Sequence, residues 1–206
     1  MRVIVFDTET TGLPIAWDAS AEDVNNWPRV VEIAWLVLDD FSKMLYVRQV
    51  IRPEGFSVPK EIAAIHGISN EEALRVGSSL NYVMACFVKA IASADLIVAH
   101  NISFDYPVVN CELIRLGIDS RLSEVDHFCT MMSTVELCKI PGVSGYKWPK
   151  LQELYRFLFN AEFSDAHSAL ADANATADCF IELSKRNLSS SAALTHPLIT
   201  LLAEMP

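Results

Sequence analysis

VIVFDTETTGL, Val3 to Leu13, is the stretch that decides how this chain folds and where its chemistry sits. Val3, Ile4, Val5 and Phe6 suit a strand covered on both faces, because β-branched and aromatic residues without a polar alternation fill a sheet that has no wet side. The run then meets two carboxylates one residue apart, Asp7 and Glu9, and a Thr/Gly turn. An acid buried without a partner is costly, so the two acids belong at the exit of the strand, where something positive answers them.

Outward from this strand, Pro14 to Arg29 is polar and turn-rich and reads as a surface loop. Val30–Asp39 and Met44–Arg52 form two further strands, and the short turn DDFSK between them makes an antiparallel hairpin. Leu80, Val83, Met84, Phe87, Val88 and Ile91 recur with helical spacing. Asp95–Asn101 is a short buried strand ending in polar residues. Phe104–Gly117 reads as a helix with Pro107 in its first turn and Gly117 as its stop. A strand at Val125–Phe128, a helix toward Cys138, a helix over Leu151–Leu158 and a last helix striped by Ala169, Ala173, Ala177, Phe180 and Leu183 complete the pattern. The expected architecture is α/β: a mixed five-stranded sheet whose first three strands form a meander, with helices on both faces.

The 206 residues suffice for one domain, expected at 1–185, with an appendix at 186–206 that is first Ser-rich and then apolar. That tail is expected to dock on the body or a partner, leaving monomer and homodimer both open. Gly and Pro together number 16 and half the residues are apolar, which is globular and not disordered composition. The five cysteines are scattered and never closer than nine residues, as reduced thiols of a cytoplasmic protein would be. Met1 and Arg2 lead directly into the first strand, so no signal peptide is expected. VVEIAWLVL is interrupted by Glu32 and falls short of the roughly 20 residues that span a bilayer, so no membrane association is expected.

In an open sheet of this kind the functional crevice lies at the carboxyl ends of the strands. Asp7 and Glu9 end the first strand, Asp105 follows the fourth within HNISFD, and Asp172 opens the last helix within AHSALAD. Four carboxylates at one mouth repel each other unless cations bind, and oxygen-only ligands select hard ions such as Mg²⁺ or Mn²⁺. Two such ions about 4 Å apart suit cleavage of a phosphodiester. At about 100° per residue, His167 and Asp172 would stand roughly 140° apart on a regular helix. His167 is therefore expected on the loop or frayed first turn, as a general base. His100 is expected to be structural, and the spacing of His127, Cys129 and Cys138 matches no common zinc site.

DTETTGL, IHGIS (Ile65–Ser69), HNISFD, KWPKL (Lys147–Leu151) and HSALAD resemble, in this order, the motif set of the DnaQ-like, or DEDDh, 3′-to-5′ exonucleases, which include the proofreading subunits of bacterial replicative polymerases. The resemblance runs from about Val3 to Leu183. It implies a ribonuclease H-like fold, two divalent cations and release of 5′-mononucleotides from 3′ ends, single-stranded DNA first among substrates. Carried over, Asp7 bridges both ions, Glu9 and Asp172 hold the nucleophile's ion, Asp105 supports the second and His167 is the base. Thr10 and Leu13 match positions that contact the 3′-terminal nucleotide, Asn101 and Phe104 shape its pocket, and His66 lies in the segment that covers the terminal base.

The formal charge of −10 stands against a general grip on a polyanion. Lys139, Lys147, Lys150 and Arg156 with Tyr146 and Trp148 offer a short basic and aromatic stretch that suits a few nucleotides of single strand. Binding is then weak and distributive unless a polymerase or another replication or repair protein holds the enzyme on its substrate. An exoribonuclease of the same family, or a module that binds nucleic acid or polymerase without cutting, are the alternative readings.

Overall fold

The computed structural model describes residues 1–164 and 166–189. Five strands, β1 (Arg2–Thr10), β2 (Val30–Asp39), β3 (Ser42–Val50), β4 (Leu96–Ala99) and β5 (Asp126–Cys129), form one sheet in the order β3-β2-β1-β4-β5. The meander β1-β2-β3 is antiparallel, and β4 and β5 run parallel to β1. The expected mixed sheet is what forms.

Side chains alternate across a strand, and here the alternation sorts them between two cores. Ile4 and Phe6 join Trp35, Val37 and Ile97 on one face, under α3 (Leu80–Ile91) and α4 (Ile102–Leu116). The Phe87 ring of α3 lies 5.4 Å from Phe6 and 5.3 Å from Trp35. Val3 and Val5 join Ala34, Leu36, Leu38, Leu96 and Val98 on the other face, under α8 (Ala169–Ser189). Ala169, Ala173 and Ala177 turn toward that sheet face, and their small side chains let the helix approach it closely.

Two helices went unforeseen, α1 (Lys60–His66) and α2 (Asn70–Val76). Each has seven residues, too few to show an amphipathic stripe. The break between them is local chemistry: Gly67 ends α1 at φ 79°, and the Ser69 hydroxyl accepts the Glu72 N–H to start α2. The helix expected toward Cys138 is instead two single turns, α5 (Thr130–Ser133) and α6 (Val135–Cys138), parted where the Thr134 hydroxyl donates to the Thr130 carbonyl. α4 begins at Ile102, two residues earlier than expected, so Pro107 lies in the second turn, where it cannot donate to the Ser103 carbonyl. α7 (Leu151–Phe159) packs Leu154 and Leu158 on Cys179 and Leu183 of α8.

α8 continues to Ser189, so the boundary expected at residue 185 falls inside a helix. The appendix from residue 190 onward lies outside the described residues. Among the described residues all five cysteines are free, and no helix is long and apolar enough to cross a membrane.

Candidate active site

The alternation that divides the two cores also divides the acids. Asp7 and Glu9 continue the Val3/Val5 side of β1 and face α8, whose first turn carries Asp172. Ligand oxygens of these three carboxylates lie within 4.8 Å of one another. Thr8 points the opposite way, toward α4. There the buried Asp105 accepts hydrogen bonds from the Thr8 backbone N–H (2.9 Å) and hydroxyl (2.7 Å). Asp7, Glu9 and Asp172 thus meet directly, and Asp105 arrives beside them from the α4 side, near enough for its charge to act on Asp7 and Glu9 and to feel Asp172. Asp105 belongs to the first turn of α4, and its carboxylate turns to β1 instead of capping its own helix.

Burial, then repulsion from Asp105, Asp172, Glu9 and Glu32, holds the Asp7 carboxyl well above the usual carboxylate range. Glu9 is pushed up to about 8 by burial and by Asp172, Glu32 and Asp105. Burial lifts Asp105 to about 7 against the two Thr8 bonds. Asp172 is raised by burial, opposed by the His167 N–H. Among the described residues no lysine or arginine pairs with Asp7, Glu9 or Asp172, while nearby Glu32 and Glu112 do have such partners. A compact, oxygen-only set whose charge no side chain neutralises fits a hard divalent cation.

Carboxyls raised in the folded state stabilise it while protonated, below their unfolded values near 4, and that contribution is lost as pH rises through the folded values. In a chelator, the melting temperature is expected to fall between pH 5 and pH 8.5, through the values of about 7 for Asp105 and about 8 for Glu9. Mg²⁺ or Mn²⁺ at one fixed concentration, a hundred times its Kd at pH 8.5, restores about 2.7 kcal/mol there, roughly 5–11 °C for a chain of this size, and less at pH 5, where protons compete for the carboxylates. The gain should be larger at pH 8.5 than at pH 5; thermal denaturation showing equal gains at both would remove the metal from these carboxylates.

His167 lies two residues before α8, exposed in a turn at φ 72°. Its backbone N–H donates to Asp172 Oδ2 at 3.1 Å, so the turn that carries the imidazole is tied to a carboxylate of the cluster. A non-glycine residue in the left-handed region is uncommon, and such strain gathers at functional sites. Thr10 is buried and spends its hydroxyl on the Gly12 carbonyl (2.7 Å), shaping the turn that leaves Leu13 71% exposed. Asn101 precedes α4 at φ 68°, and Phe104 is half-buried beside Asp105. The buried His66 ring accepts from the Ile68 N–H at Nδ1 (3.1 Å), which puts the proton of the neutral ring on Nε2. That Nε2 has no hydrogen-bond partner among the described residues.

His100 is held at both ends, by Thr130 Oγ1 (2.9 Å) and the Pro149 carbonyl (3.0 Å), and burial lowers it to about 4, so it is a neutral tie between β4 and the 140–149 loop. His127 packs its ring on Tyr106 at 4.7 Å, and no thiol or imidazole joins the metal-competent group found among the described residues.

One residue escaped the reading of the sequence. Glu32 pairs in register with Glu9 across β1 and β2 and is fully buried. It accepts from Arg48 Nε (2.6 Å) and from the backbone N–H of Ala169 (2.9 Å), the first residue of α8. Its signal was visible as the acid that interrupts an otherwise apolar strand.

Comparison with known proteins bears directly on this geometry. The exonuclease family RNase_T matches residues 4–180. The chain belongs to that family. The DNA polymerase III subunit epsilon of Rickettsia conorii is 32% identical over 189 residues, covering 89% of this chain and 74% of that protein. The 3′-5′ exonuclease DinG of Bacillus subtilis is 29% identical over 184 residues, covering 88% of this chain, which spans only 17% of the DinG length. Among solved structures, the zinc-bound complex of E. coli exonuclease I with single-stranded DNA superposes with a TM-score of 0.69 at 20% identity, covering 90% of this chain and 40% of the other. The expected place among DnaQ-like 3′-to-5′ exonucleases of ribonuclease H-like fold is borne out. The family is one of divalent-metal-dependent nucleases, and the carboxylate cluster is where such metal would sit.

Proposed function

We propose that this exonuclease domain removes 5′-mononucleotides from the 3′ ends of single-stranded DNA. The observation that carries this reading is the cluster of Asp7, Glu9 and Asp172 with His167 tied to Asp172 and exposed at its rim. Asp7, Glu9 and Asp172 would hold one divalent cation and Asp7 with Asp105 a second, Mg²⁺ or Mn²⁺. Such a pair, when bound, supplies an activated water and stabilises the leaving oxygen of a phosphodiester.

The side chains around the metals do the rest. The His167 imidazole takes the proton of the attacking water, a role its exposed turn position permits. Asp172, holding the His167 backbone, keeps that imidazole near the cluster. Thr10 sets the turn that presents Leu13, and Leu13, Asn101 and Phe104 bound the space for the terminal nucleotide. His66 lies in the segment that would cover the terminal base, its ring buried.

Two observations support a light grip. Lys147 pairs with Glu153 (2.6 Å) and Arg156 with Glu162, which takes two cations out of the basic stretch. Trp148 and Tyr146 remain exposed for stacking. The relatives named as DNA polymerase III subunits support DNA over RNA, a polymerase as the partner that supplies processivity, and a cytoplasmic setting, which free thiols also suit.

Matched 5′-labelled DNA and RNA decamers with Mg²⁺ provide the test. Single-nucleotide shortening of the DNA from its 3′ end, at least tenfold faster than of the RNA and abolished by chelator, is the expected result. Internal cuts, or shortening from the 5′ end, would overturn the reading.

A further inference from the structure

We propose that Trp17 is a stacking platform for a base of the DNA strand upstream of the nucleotide being removed. This rests on the exonuclease reading above and adds a binding position to it.

Three large apolar side chains stand in water within five residues: Leu13 is 71% exposed, Ile15 85% and Trp17 56%. Slack in the loop does not explain this. The Ala16 N–H donates to Asn26 Oδ1 (2.7 Å), Asn26 Nδ2 donates to the Ala16 carbonyl (2.9 Å), and the Ile15 N–H donates to the Asn26 carbonyl (3.1 Å). Asn26 itself is buried. Both backbone polar groups of Ala16 are therefore clamped, with an exposed side chain held on either side. Trp27, in the same loop, shows the ordinary fate of an indole: it is 3% exposed and donates to the Ser20 carbonyl. Trp17 is held outward instead.

Its position says what it meets. The Trp17 ring lies 5.9 Å from the Phe104 ring, tilted by 45°. Phe104 is followed by Asp105, which is bonded to Thr8, the neighbour of Asp7. The aromatic pair thus joins the indole to Phe104, the ring proposed above to bound the terminal-nucleotide space. Asp18, Glu22 and Asp23 follow Trp17 in the loop and no lysine or arginine lies between Leu13 and Pro28 in the sequence, while Arg115 reaches the loop at the Val24, Trp27 and Pro28 carbonyls. This loop's own residues offer a phosphate no cation, whereas the flat face of a base would stack on the indole irrespective of its sequence. The occupant is therefore a nucleobase.

The test compares KM for a 5′-labelled dT10 oligonucleotide, which has upstream bases, with KM for thymidine 5′-monophosphate p-nitrophenyl ester, which has none. In Trp17→Ala the ratio of the two KM values is expected to rise about tenfold, and Trp17→Phe, which keeps an aromatic face, is expected to restore most of it. A ratio unchanged in Trp17→Ala while the wild type digests both substrates overturns the platform alone, as does a phenylalanine variant no better than alanine. Wild-type protein that digests neither substrate overturns the exonuclease reading and the platform with it.

Discussion

Asp7→Asn is expected to lower turnover of single-stranded DNA by about a thousandfold or more while leaving the metal-free protein at least as stable as wild type. The two halves come from one arrangement. Asp7 is the acid that feels Asp105, Asp172, Glu9 and Glu32 together, so it links the three-carboxylate cluster to the acid on the other face of the sheet. Removing its charge while keeping its shape leaves one neutral amide oxygen where a carboxylate stood among the other ligands. A divalent cation contributes several kcal/mol to a transition state that gathers charge, and about 4 kcal/mol corresponds to a thousandfold. Without metal the same charge is a liability, since burial and repulsion already keep the Asp7 carboxyl well above its usual range. Asparagine ends that repulsion, so in chelator at pH 8 the variant should melt no lower than wild type. Gel assays of 5′-labelled substrate and parallel melting curves read both halves. Wild-type turnover in the variant would take Asp7 out of the site; lost activity with a strongly lowered melting temperature would make its role structural.

How far the sequence led is clearest where it stopped. The second strand is legible over Val30–Asp39 and forms there, because a run without polar alternation can only be covered on both faces. The helix read over Leu80–Ile91 likewise forms there, its stripe buried against Phe6 and Trp35. The acids were legible as a set, since Asp7, Glu9 and Asp172 do meet. Their division was not. Parity along β1 already separates Asp7 and Glu9 from Thr8, yet nothing local says that α8 covers one face and α4 the other. Asp105 therefore comes to the group from the α4 side, held by Thr8 in a contact between residues 97 apart. α1 and α2 escaped because each is a short helix defined by its ends, by Gly67 and Ser69, and not by a face. Glu32 was seen only as an interruption, and its meaning depends on which strand and which helix lie beside it.

Glu32→Ala is the second large effect, and here opposing contributions decide the sign. The Ala169 N–H is one of the donors that the first turn of a helix leaves without an internal partner. Glu32 satisfies it from a strand far away in sequence and places a carboxylate at the positive end of α8. Stranding a buried donor costs about 1–3 kcal/mol. The pairing with Arg48 adds little, because that guanidinium is half exposed and can return to water. In the other direction, deleting Glu32 relieves repulsion on Asp7 and Glu9, but in the metal-free protein proton uptake already removes much of it. The lost bond wins, and a net loss of about 2 kcal/mol lowers the melting temperature by roughly 4–8 °C. Because Asp172 and the His167 turn hang on the same end of α8, the loosened helix should also misplace both, and displacements of about 1 Å at a reacting centre cost up to a hundredfold in rate. Glu32→Gln, which keeps an oxygen for the Ala169 N–H, should recover most of the stability and part of the rate. An alanine variant that melts with wild type would remove the hold on the helix as a source of stability, and a glutamine variant as impaired as alanine would mean that Glu32 acts through its charge.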